Sequence, residues 1–121
     1  MKKEIQTLIE DFNLKNDLTE NKGIWVGHAK IGYRNRPNLE QAKEYLKQIF
    51  PEYIEENTPT PEHLVEILKK WENSHPYQKV RELDQPMFIL KEDNQIYIAV
   101  IWPWQIREGV ASLMLYTGEI N

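Results

Sequence analysis

The stretch MFILKEDNQIYIAVIW, residues 87–102, decides the fold. Met87 to Leu90 is a short apolar run, Lys91-Glu92-Asp93-Asn94 is a polar turn, and Ile96 to Trp102 is apolar at nearly every position. Two short apolar runs joined by so few turn-forming residues read as an antiparallel hairpin. A strand that is apolar at consecutive positions must bury both of its faces. Ile96 to Trp102 is therefore placed at the centre of a sheet, covered on both sides. Pro103 breaks the ladder, and Val110 to Thr117 supplies the next strand, giving an antiparallel meander. Val80 to Leu83 reads as a further short strand ahead of the hairpin.

Further upstream the apolar period changes from two to 3.6. Leu64, Ile67, Leu68 and Trp71 stripe one face of a helix. Its start is Thr60-Pro61-Glu62: a cap residue, a proline in the first turn and an acid that suits the helix dipole. Leu39, Ala42, Leu46, Ile49 and Phe50 stripe an earlier helix. Asn38 is its expected N-cap, with Gln41 reaching back, and Pro51 lies just past its end. Ile5, Leu8, Ile9 and Phe12 stripe the first helix, over residues 2–14. Between these two helices, IWVGHAKIGYR at 24–34 reads as a strand. Trp25, Ala29, Ile31 and Tyr33 share one of its faces, and His28, Lys30 and Arg34 the other. The proline-rich stretch from Pro51 to Pro61 reads as a long helix-helix connection. The expected build is α+β in the order α-β-α-α-β-β-β. Three helices pack on one face of a mostly antiparallel sheet of four to five strands, within a single domain over residues 1–121.

Composition narrows the chemistry. The chain has 121 residues, 40% hydrophobic and 28% charged, an ordinary globular mixture of a size that can bury a core without staples. It has no cysteine, which removes disulfides and thiolate metal sites and leans towards a reducing compartment. Glu4, Gln6, Glu10 and Asp11 interrupt the N-terminal segment, so it does not read as a signal peptide, and the expected location is the cytoplasm. The longest apolar run, Ile96 to Trp102, is far short of the roughly 20 residues of a membrane helix. A formal net charge of −4 disfavours broad binding to nucleic acid or anionic membrane.

The usual catalytic signatures are missing. His28, His63 and His75 include no i, i+4 pair, so no helical zinc site is expected. Neither Ser74 nor Ser112 sits in a Gly-x-Ser-x-Gly elbow. Gly27 and Gly32 have the glycine spacing of a P-loop, yet Tyr33 and Arg34 follow where Lys and Ser or Thr should stand, and the segment reads as a strand. No catalytic residue, metal or cofactor is assigned.

Two features point to binding. Residues 48–68 hold five glutamates (Glu52, Glu55, Glu56, Glu62 and Glu66) and no Lys or Arg, with Tyr53 and Ile54 among them. Clustered acids around an aromatic steer a basic partner. Trp102-Pro103-Trp104 ends a strand and turns the chain, so that Trp104 is a candidate exposed anchor. The expected partner-binding set is Glu52, Tyr53, Glu55, Glu56, Glu62 and Trp104. A small, acidic, cysteine-free α+β build without a catalytic signature is similar to that of bacterial toxin-neutralising immunity proteins. The expectation is a non-enzymatic module that neutralises a partner protein, such as a toxin, through an acidic surface. The alternative is a small-molecule-binding or hydrolase-like domain whose pocket, between helices and curved sheet, is lined by His28, Tyr97 and Trp102. A long uncovered sheet edge would also open a route to a homodimer.

Overall fold

The computed structural model describes residues 3–16, 25–31, 39–74, 79–83, 85–102 and 111–119. In chain order the elements are α1 (Lys3–Phe12), β1 (Lys15–Asn16), β2 (Trp25–Ile31), α2 (Leu39–Ile49), β3 (Glu52–Ile54), α3 (Glu62–Ser74), β4 (Met87–Glu92), β5 (Gln95–Trp102) and β6 (Ala111–Glu119). The α+β class and the closing antiparallel meander are those expected from the sequence.

The strands form one antiparallel sheet in the order β1-β2-β6-β5-β4-β3. β5 and β6 pair over eight residues, from Gln95↔Glu119 to Trp102↔Ser112, and β5 pairs β4 on its other side. The β4–β5 turn is tighter than the sequence suggested. Glu92 already faces Gln95, leaving only Asp93 and Asn94 in the loop. Asp93 takes a left-handed conformation (φ 55°), which lets a two-residue hairpin keep the right-handed twist of its strands.

The helices divide between the two faces, where all three were expected on one. Ile5, Leu8 and Phe12 of α1 and Ala42 and Leu46 of α2 pack with Phe88, Leu90, Tyr97, Ala99, Ile101, Leu113 and Leu115. Leu64, Leu68 and Trp71 of α3 pack on the other side with Met87, Ile89, Ile96, Ile98, Val100, Met114 and Tyr116. The physical reason lies in β5: its odd and even positions are equally apolar, so both faces need a cover. Trp71 seals the α3 face. Its ring lies 6.4 Å from that of Tyr116 in a stacked arrangement. It also lies over Gly118, where a Cβ would stand 3.0 Å from the indole.

Three boundaries differ from the sequence reading, each for a local reason. α1 stops at Phe12, not at residue 14. Asn13, left-handed at φ 51°, donates its N–H to Glu10 O, and Leu14 donates to Ile9 O, closing a Schellman cap. Val80–Leu83 is not a strand, because its backbone groups are taken elsewhere: Val80 N–H donates to Glu72 Oε2 (2.9 Å), Glu82 N–H to Gln85 Oε1 (2.7 Å), and Leu83 O accepts from Asn57 N–H (2.7 Å). The supposed helix-helix connection contains β3, which pairs β4 with Tyr53 opposite Phe88. With β1 added at the other edge, the sheet has six strands and not four to five. The expected N-cap Asn38 lies outside the described residues.

Candidate functional site

The acidic stretch becomes one end of the sheet. β3 is its terminal strand, and the chain runs from β3 through an exposed turn into the first residues of α3. Glu55, Glu56 and Glu62 are exposed, and Glu52 keeps 37% of its side chain accessible. Period two along β3 separates its side chains. Tyr53 belongs to the α1/α2 side, where its ring stacks 4.9 Å from Phe88, whereas Ile54 packs with the α3 side.

This acidic end is anchored from beneath. Arg81, only 7% exposed, reaches across from the segment before β4. Its guanidinium donates to Glu55 O (3.1 Å), to Thr60 Oγ1 (3.1 Å) and to Gln85 O (2.9 Å). The fork geometry of arginine suits three separated acceptors. Asn57, left-handed at φ 66°, donates its N–H to Leu83 O, while Thr58 N–H closes the turn onto Glu55 O (3.2 Å). The turn is thus stitched at both ends to residues 79–85. Leu83 is 54% exposed, the one large apolar side chain so exposed among the described residues, and it stands beside the acidic turn.

Lysines from α2 and a histidine from α3 frame the acids. Lys43 Nζ lies 2.7 Å from Glu56 Oε1, with Glu40 3.9 Å away. Burial pulls the Lys43 ammonium towards neutrality, but the Glu56 carboxylate, with help from Glu40 and Tyr53, outweighs it and holds the group above the ordinary lysine range. Lys47 sits 4.7 Å over the Tyr53 ring. Burial raises the Tyr53 hydroxyl, Lys43 and Lys47 oppose that, and Glu56 and Glu55 reinforce it, with a net upward shift. His63 Nε2 lies 3.3 Å from Glu52 Oε2. Glu55 and Glu62 carry no ion pair among the described residues, so their charge faces outward.

Of the expected partner-binding residues, Glu52, Tyr53, Glu55, Glu56 and Glu62 share this end of the molecule. Trp104 lies outside the described residues. The expected pocket set is divided by the sheet: Tyr97 is buried in the α1/α2 core, and Trp102 packs against the α3 core. His28 stands in the β2 register opposite Lys15 and Met114. The sequence reading missed Arg81, Lys43 and Leu83. Arg81 and Leu83 lay in a supposed strand, and Lys43 reads as an ordinary wet-face lysine until α2 is laid beside the β3 turn.

A shallow open groove between α1 and α2 is lined by Lys3, Glu4, Thr7, Tyr45, Gln48 and Ile49. There Tyr45 donates to Asp11 Oδ2 at 2.7 Å. Burial first, then that bond and the carboxylate's charge, push the Tyr45 hydroxyl up to about 12. Among the described residues, no cluster of His, Asp and Glu could hold a metal ion, and no helix is long and apolar enough to cross a membrane. No protein-family model matches the chain, and neither a curated protein nor a solved structure matches it.

Proposed function

We propose that the chain is a non-enzymatic protein-binding module whose acidic end holds a partner with a basic surface, in its most concrete form an immunity-type protein that blocks a toxin. The observation that carries this reading is the anchoring of the acidic turn. A loop that is only solvated needs no buried arginine. Here Arg81 joins the backbone of Glu55, the hydroxyl of Thr60 and the backbone of Gln85, presenting Glu52, Glu55 and Glu62 on a fixed frame. A preorganised charged surface loses less entropy on binding and accelerates encounter with an opposite charge. Leu83 supplies an apolar contact beside it. On this reading the protein works in the cytoplasm.

The test compares the wild-type chain with the E52Q/E55Q/E62Q variant in affinity capture from source cells. Glu56 is left in place because it holds the buried Lys43. Capture of one stoichiometric protein by the wild type is expected, weakened at least ~10-fold in the variant and also on raising salt from about 50 mM to about 500 mM. Thermal unfolding should barely change, since such surface substitutions typically cost within ~0.5 kcal/mol each. Equal capture by the two proteins at both salts would sink the acidic-surface reading.

A further inference from the structure

We infer that the partner is held by strand addition: an extended segment rich in Lys or Arg lies along β3 and continues the sheet. This rests on the acidic-surface reading and specifies its geometry. β3 ends the strand order, and among the described residues it pairs only with β4. A terminal strand presents a row of backbone donors and acceptors to any chain that can approach. All three β3 residues are half-buried, not covered. Beyond Ile54 the chain turns, and that turn is tied to Arg81 and Leu83.

Charge selects the occupant. A second copy of this chain paired antiparallel about Tyr53 would set Glu52 opposite Ile54 and place the two Glu52 side chains diagonally across one face, where like charges disfavour the pair. Charged edges commonly guard against unwanted pairing. Glutamates repel copies of themselves and other acidic strands, and they attract a basic one. Strand addition then supplies affinity through main-chain hydrogen bonds, while the acids choose the partner.

The experiment titrates the full-length chain with three synthetic decapeptides and follows backbone amide exchange by NMR. One alternates lysine with threonine. The second is the same peptide N-methylated at every backbone nitrogen, so it keeps its charge but can donate no ladder hydrogen bond. The third replaces lysine by glutamate. At saturation the lysine peptide is expected to slow exchange at least ~10-fold at outward-facing amides among Glu52, Tyr53 and Ile54, while the other two leave β3 unchanged. Equal effects from the methylated peptide, protection confined to other elements, or no binding by the lysine peptide would each overturn strand addition. The two readings fail separately. Salt-sensitive binding of both lysine peptides leaves the acidic surface standing without the strand, whereas indifference of partner capture to E52Q/E55Q/E62Q removes the surface itself. Because the decisive change is made in the peptide, no outcome depends on a variant that fails to fold.

Discussion

Ile98 in the middle of β5 and Tyr53 in the middle of β3 are separated by a single strand, β4. Ile98 is fully buried, its neighbours Tyr97 and Ala99 fill the α1/α2 core, and Ile98 itself fills the α3 core. Around Tyr53 the strand is three residues long, half-buried, and followed by exposed glutamates. β5 is held in place by apolar area on both faces. β3 is held by its three-residue pairing with β4, and the acidic turn that follows it by polar bonds from Arg81 and Leu83. The first arrangement stabilises the fold, and the second shapes a surface. The difference teaches that the sheet's centre and its acidic end should respond to mutation in different ways.

The largest effect should come from the centre. Ile98→Ala leaves a cavity between β5 and α3 and is expected to lower unfolding free energy by about 2–5 kcal/mol in chemical denaturation. A loss below 1 kcal/mol would mean that β5 is less central than its burial implies. Next comes Arg81→Ala, which removes one donor each from Glu55 O, Gln85 O and Thr60 Oγ1 and should cost about 1–3 kcal/mol. Its signature is regional: amide exchange should quicken in residues 52–60 and 79–85 while β5 and β6 stay protected. A uniform rise across the sheet would erase the contrast between the two regions.

The smallest effect lies on the groove side. Tyr45→Phe removes the bond to Asp11 and should cost only about 0.5 kcal/mol at neutral pH, because the pair is exposed. Its sign becomes visible in alkali. A tyrosine held above its ordinary value keeps its proton more tightly when folded. Its contribution to stability is complete below pH 10 and lost as the pH climbs towards about 12. The variant should therefore lose stability less steeply than wild type over that range. Identical alkaline slopes would show that Tyr45 does not titrate as its burial and Asp11 dictate.

The same contrast decides what could be read in advance. Ile96 to Trp102 announces a doubly covered strand because every position is apolar, and the stripes of Leu8, Leu46 and Leu68 announce their helices by spacing alone. β3 gives no such signal: Glu-Tyr-Ile between prolines has neither length nor alternation enough to outweigh its turn-rich setting. Val80 carries a strand-like sequence yet lies in a loop, since Glu72 and Gln85 supply hydrogen bonds that a ladder would otherwise provide. Of the candidate site, the acids and Tyr53 were legible as a cluster in sequence. Their anchoring was not, because Arg81 is 26 residues from Glu55, whose carbonyl it holds.

What the sequence by itself determined is therefore what local period and composition control: three amphipathic helices, an apolar central strand, an antiparallel hairpin and a cysteine-free acidic chain. The tertiary structure alone decided which face each helix covers, that the acidic stretch forms the sheet's last strand, and that a buried arginine supports it. The physical reason is range. Helix stripes and hairpins arise between residues a few positions apart, whereas a helix chooses its face, and Arg81 its acceptors, only when distant segments compete for the same apolar surface and the same backbone groups.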